Sequence, residues 1–344
     1  MRPAAAVIGL LCALAVLAWS PGARRTGDSA PASKLSAAAA DLLRPARGTV
    51  WWVDRGCRVG RLRLPAGRIV QGPSRHCHVW PAPTGALALA SQDDPESPRP
   101  PGNLAVLSGR RLRTSAVIGV RSDAVSPGVS WSPDGSAVAF CVKRGDQEAT
   151  VTVHVSSIHA SSPIRHRCPP AWSGSTLVTS DGRHVYLGAV RVSIAHLLTR
   201  ALGAGPPDIR IAAIAASLQG LAVVVEQRLP EGVEPGASWL VTIDQQGGLV
   251  HLGRLPPGSV EAIGVSQPGT WLWVQHAAGQ ARLLPLDRAT RPPAAPAAAR
   301  GYAFSPDGRF VVAALAGELR IIDLRSGRST SLTDVDPMSV AWTR

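Results

Sequence analysis

Trp131-Ser-Pro-Asp-Gly135 runs straight into the apolar stretch Ala137-Val-Ala-Phe140, and Phe304-Ser-Pro-Asp-Gly308 runs into Phe310-Val-Val-Ala313. A strand, a tight turn and a second strand, used twice about 170 positions apart, indicate a chain built from a repeated unit. Pro at the second turn position sets φ, Asp bonds to the backbone of its own turn, and Gly closes the turn without steric cost. Asp134 and Asp307 are therefore read as turn residues rather than catalytic carboxylates.

Degenerate copies of the unit stand at Val79–Ala90, Ala171–Ser180, Ile214–Val225 and Ile263–Val274, about 40 to 50 residues apart. A second hairpin signal, strand-x-x-Gly-Arg-strand, recurs at Arg61–Val70, Leu104–Leu112 and Leu319–Leu332, with looser copies at Trp239–Leu252 and Ala281–Pro292. Abundant Gly and Pro, 34 and 30 residues, suit short strands and turns better than long helices. The expectation is an all-β fold, a β-propeller of four-stranded blades. Seven blades are favoured and six are the alternative. The terminal strand Met338–Arg344 is expected to close the ring by joining strands from Thr49–Asp54 and Arg61–Val70. The exception to the pattern is Ser193–Leu202, where Ile194, Leu197, Leu198 and Ala201 have helical spacing.

The Trp-Ser-Pro-Asp-Gly and Phe-Ser-Pro-Asp-Gly turns resemble those of TolB-like or WD40-like propeller repeat proteins. The resemblance covers most of Thr49–Arg344 as a pattern. It implies a scaffold that binds partners through its faces or central channel. The Gly-His and Trp-Asp pairs of the WD40 signature proper are not met.

Three domains are expected: a hydrophobic signal or anchor segment over residues 1–19, a flexible linker over 20–48, and the propeller over 49–344. Met1-Arg2 precedes the uncharged run Ala4–Trp19, which reads as an N-terminal anchor or secretory signal. As a helix that run spans about 24 Å, slightly short of a full bilayer crossing. Within the linker, Ser36 is a candidate cap for a short helix ending before Pro45. The expected localisation is extracytoplasmic, membrane-anchored through residues 4–19 or secreted.

The formal charge of +13 comes almost wholly from arginine, Lys34 and Lys143 being the two lysines. The arginines fall mostly singly along the chain, as at Arg63, Arg121, Arg210, Arg254 and Arg320, and pairs such as Arg110-Arg111 are few. A basic groove for nucleic acid calls for Lys/Arg clusters interleaved with stacking aromatics. Nucleic acid is therefore not an expected partner, while a salt-sensitive affinity for an acidic polymer stays open.

Outside the apolar run stand four cysteines, Cys57, Cys77, Cys141 and Cys168, which allow three connectivities. Cys57 and Cys141 lie at or just past the second strand of a unit, and Cys77 and Cys168 lie just before the first strand of the next. These equivalent positions predict disulfides Cys57–Cys77 and Cys141–Cys168. Neighbouring residues of a strand point to opposite faces, so His76-Cys77-His78 cannot converge on one ion. No cofactor, metal ligand or catalytic residue is assigned. Glu226, Glu261 and Glu318 show no paired-carboxylate spacing, and no Gly-x-Ser-x-Gly elbow is present. Trp80, Trp131, Trp172 and Trp342 recur at one repeat position and are read as packing residues.

The functional expectation is a non-catalytic scaffold binding a protein or cell-envelope ligand, the oligomeric state being open. A propeller hydrolase or lyase with an unrecognised channel site, and acidic-polymer binding through an arginine-rich surface, are the alternatives. Candidate recognition loops are residues 91–102, 227–237 and 287–300.

Overall fold

The computed structural model describes residues 35–344 except 75, 86, 92–102, 109–112, 120–123, 126–128, 145–146, 158, 161–162, 166, 204–207, 218, 229–235, 257, 267–268, 277–280, 287–295 and 297. Helix α1 (Ala37–Leu43) starts at Ser36, whose hydroxyl accepts the Ala39 N–H at 3.2 Å. Leu43 and Ala46 are buried. α1 thus belongs to the same compact unit as the strands, which begins at residue 33.

The first sheet holds β1 (Gly48–Asp54), β2 (Arg58–Leu64) and β3 (Arg68–Ser74), with β29 (Pro337–Thr343) on the other side of β1. The second runs β4 (His78–Pro81), β5 (Leu87–Ser91), β6 (Asn103–Ser108) and β7 (Arg113–Gly119). The third holds β8 (Ala124–Val125), β9 (Ser130–Trp131), β10 (Ala137–Arg144), β11 (Gln147–His154), β12 (His159–Ala160) and β13 (Ile164–Arg165). The fourth runs β14 (Ala171–Ser173), β15 (Thr176–Ser180), β16 (His184–Leu187) and β17 (Val190–Ser193), from which α2 (Ile194–Leu202) follows directly. The fifth is β18 (Ile209–Ser217), β19 (Gly220–Gln227), β20 (Ser238–Ile243) and β21 (Leu249–Arg254). The sixth has β22 (Val260–Val265), β23 (Trp271–His276) and β24 (Ala281–Pro285). The seventh is β25 (Gly301–Phe304), β26 (Phe310–Leu315), β27 (Glu318–Asp323) and β28 (Ser329–Thr333).

This corrects the expected propeller of equal four-stranded blades clasped into a ring. Among the described residues six open antiparallel sheets have three or four strands, the third has six, and none is closed into a barrel. In the third sheet β8 and β9 both pair with β10, and β12 and β13 both pair with β11. Pro127 and Gly128 stand between β8 and β9 in sequence, and proline cannot donate to a ladder. In the sixth sheet three strands are paired among the described residues, and β24 there gains the bridge Ala281–Ala299; the sequence after β24, Arg291-Pro-Pro-Ala-Ala-Pro296, is poor in ladder donors. The terminal strands meet as neighbours within one open sheet, Val50 opposite Trp342 and Trp52 opposite Val340.

The expected membrane anchor is also corrected. Among the described residues no helix is long and apolar enough to cross a membrane. Residues 4–19, which carried that expectation, lie outside the described residues.

Strand alternation places the core between consecutive sheets. Val50 and Trp52 of β1 pack with Phe310, Val312 and Ile321 of the seventh sheet. Trp51 and Val53, pointing the other way, pack with Val79 and Leu107 of the second. Similar clusters join the second sheet to the third, the fourth to the fifth, the fifth to the sixth and the sixth to the seventh. Between the third and fourth, no such cluster forms among the described residues. That junction is held by the Cys141–Cys168 disulfide, by Thr150 Oγ1 donating to the Arg167 carbonyl, and by Trp172 Nε1 donating to the Ser130 carbonyl at 3.2 Å.

Candidate binding cavities

The repeated turn reaches its form through one serine hydroxyl. Ser132 Oγ accepts the Ala137 N–H at 2.9 Å and contacts Asp134 Oδ1 at 2.6 Å, while the Ser136 N–H donates to the same carboxylate oxygen at 3.0 Å. Ser305, Asp307 and Phe310 repeat this arrangement. In the degenerate copy, Ser266 Oγ accepts from the N–H of Trp271 at 3.0 Å. Gly135 and Gly308 close the strong copies at φ of 72° and 68°, a region that side-chain-bearing residues rarely occupy. The hydrogen bond from Ser132, followed by those from Ser136, holds the Asp134 carboxyl down at about 2. Both turn carboxylates are committed to the backbone that shapes the hairpin.

These hairpins set the first strand of each sheet beside two adjoining cavities. One, of about 360 Å³, is walled by Pro81 of β4, Trp273 of β23, Phe304 of β25, Pro306, and Val340 and Trp342 of β29. The other, of about 330 Å³, is walled by Ser130 of β9, Trp172 of β14, Ala213 and Ala215 of β18, and Glu261 of β22. Gly264 and Val265 border both. Each of the seven sheets thus contributes wall, the sixth through both β22 and β23. Gly264 is required by Trp273: a Cβ there would lie 2.2 Å from the indole nitrogen. The bare strand lets the ring lie flat against the ladder and face the cavity.

The walls are mostly apolar side chains and backbone, with a few polar groups among them. Ser305 lines the first cavity, but its hydroxyl is spent on the turn. Tyr302 is buried and donates to the Pro296 carbonyl at 2.7 Å, and burial pushes its phenol up to about 12. The charged groups on the walls are Glu261 in one cavity and Arg344 in the other. No acid–base pair is assembled there.

The other sequence candidates lie apart from these cavities. Cys57 and Cys77 are brought together with an S–S distance of 2.07 Å, tying the β1–β2 turn to the residue before β4. Cys141 and Cys168 pair at a Cα separation of 5.9 Å. His78 stacks on Trp80 with centroids 5.7 Å apart, and among the described residues no group of His, Cys, Asp and Glu is arranged to hold a metal. Glu226 is buried, accepts from Arg210 at 2.7 Å and receives the Val260 N–H at 2.5 Å, so it joins the fifth sheet to the sixth. Glu318 pairs with Arg320. Of the three recognition loops, residues 92–102, 229–235, 287–295 and 297 lie outside the described residues.

Two arrangements were invisible to linear spacing. The first is a surface network in the fourth sheet. Asp181 accepts from Tyr186 at 2.6 Å and contacts His184 Nδ1 at 3.1 Å, while Arg167 stacks on the Tyr186 ring at 3.6 Å. Partial burial raises the Asp181 carboxyl, but the bonds from Tyr186, Arg183 and His184 outweigh it and bring it to about 2. Arg191 donates to His184 Nε2 at 3.1 Å, which occupies the nitrogen a general base would use. The second is an arginine cluster on the first sheet.

No family model matches the chain, and no curated protein sequence is similar to it. Solved structures resemble it in fold. The β-propeller domain of Cps50 (Swd1) from Myceliophteria thermophila matches at 14% identity and TM-score 0.52, covering 76% of this chain and 88% of that one. A functionally unknown protein from Desulfotomaculum acetoxidans matches at 9% identity and TM-score 0.55, covering 87% and 99%. TolB from Acinetobacter baumannii matches at 14% identity over 86% and 66%, with a TM-score of 0.47, too low to add weight. The chain therefore has remote structural similarity to propeller-like folds.

Proposed function

We propose that this chain is a non-catalytic, propeller-like scaffold working outside the cytoplasm, which seats a protein or cell-envelope ligand against the cavity walled by Trp273, Phe304 and Pro306. The observation that carries this reading is the wall itself: rigid strands supply an aromatic, apolar surface with no acid–base pair beside it. Two disulfides support a compartment that is oxidising.

The test is in-cell cross-linking from a photoreactive residue placed at Phe304. One stoichiometric partner is expected, and its capture is lost in Trp273→Ala while the thermal melt shows the fold retained. Turnover of a substrate from a lactone, ester and glycan-lyase panel, abolished by chelation, would overturn the scaffold reading in favour of a hydrolase or lyase.

A further inference from the structure

Along the sequence, Arg61, Arg63 and Arg68 are unremarkable. The register of the first sheet collects them. Arg61 and Arg63 are two apart on β2 and share a face, and Arg63 lies directly opposite Arg68 on β3. Opposed residues of an antiparallel pair have Cα atoms about 5 Å apart, and like charges in that relation repel. Arg63 and Arg68 are exposed, and among the described residues neither has an ion-pair or hydrogen-bond partner. Nearby arginines show what neutralisation looks like here: Arg58 pairs with Asp54 at 3.0 Å, and Arg55 with Asp336 at 3.4 Å. Arg61 lies over the Trp51 ring at 5.6 Å. Burial, then the charges of Arg63 and Arg68, lower its pKa, so the three guanidiniums feel one another.

We propose that Arg61, Arg63 and Arg68 form a binding site for an oligophosphate-type anion, several phosphate charges in a short span. Arg63 and Arg68, opposed with no carboxylate between them among the described residues, are costly alone and favourable around a dense anion. Planar guanidinium forks match phosphate oxygens in pairs, and phosphates linked in a chain carry more charge per length than carboxylates on a peptide. None of the three arginines lines either cavity, so this site stands or falls separately from the scaffold reading.

Calorimetric titration of the full chain with inorganic tripolyphosphate at low ionic strength tests it. R63Q/R68Q is compared with R254Q/R282Q, which removes the same two charges from the fifth and sixth sheets. The expected result is at least tenfold weaker binding for R63Q/R68Q and less than twofold for R254Q/R282Q. The log–log salt slope is expected to fall by about one to two in the first pair only. Because the first pair also relieves a repulsion, its melting temperature without ligand is expected to stay level or rise. Equal weakening in both pairs, no binding by the wild type, or tighter binding of a polyglutamate of matching charge would each overturn the proposal.

Discussion

Trp131 on β9 donates its indole N–H to the carbonyl of Trp80 on β4 at 2.8 Å, and Trp172 on β14 repeats the bond one sheet later, to Ser130 on β9. The repeated tryptophan is a strut between successive sheets as well as core. Trp131 is 9% exposed, and losing its donor leaves a part-buried carbonyl unsatisfied. Trp131→Phe, which keeps most of the ring, should cost about 1 kcal/mol in chemical denaturation. Trp131→Ala should cost about 3 to 5 kcal/mol through the cavity it opens. No measurable cost for Trp131→Phe would show that the indole N–H contributes nothing.

The Asp134 turn predicts an acid dependence with a definite sign. Its carboxyl is held at about 2, below its ordinary value of 3.8, by Ser132 and then Ser136. A carboxyl depressed by folding stabilises the native state above the unfolded value, and that stability is lost as pH falls through the folded one. Melting temperatures of wild type and Asp134→Asn should differ above about pH 4 and converge towards about pH 2. A gap that persists unchanged at pH 2 would remove the carboxylate from the account.

The two disulfides close loops of 20 and 27 residues, and chain entropy alone gives each about 3 kcal/mol. Their surroundings differ. Cys57–Cys77 spans a junction that also has the Trp51–Val79–Leu107 cluster, whereas Cys141–Cys168 spans the one junction without an apolar cluster among the described residues. Cys141→Ser/Cys168→Ser should therefore raise amide exchange across β14 to β16 more than Cys57→Ser/Cys77→Ser raises it across β4. Four titratable thiols at these positions in native protein would show that neither bond forms.

The strong hairpin turns were legible because their chemistry is local: Ser, Pro, Asp and Gly each act within five residues. α2 and the Ser36 cap were legible for the same reason. The uneven strand count was harder to see. β8 and β9 are too short to give alternation, and the three strands of the sixth sheet among the described residues are followed in sequence by prolines that also suit an ordinary loop. Trp273 could be read only as core, since its place on the cavity wall depends on Gly264 one strand away. The arginine cluster was least visible, because Arg63 and Arg68 are five positions apart and meet only through register. A search for arginines flanking a tight hairpin turn, as in Arg63-Leu-Pro-Ala-Gly-Arg68, would have found it.

The pairing of β29 with β1 also has a consequence in time. During synthesis β1 has β2 on one side and nothing on the other until Pro337–Thr343 has been made, nearly 290 residues later. Meanwhile the row of unpaired amides and carbonyls from Thr49 to Asp54, with Trp51 and Trp52 at its middle, is an open edge of the kind that recruits foreign strands. Ribosome-bound chains truncated just before Pro337 should be the ones a strand-capturing chaperone holds longest.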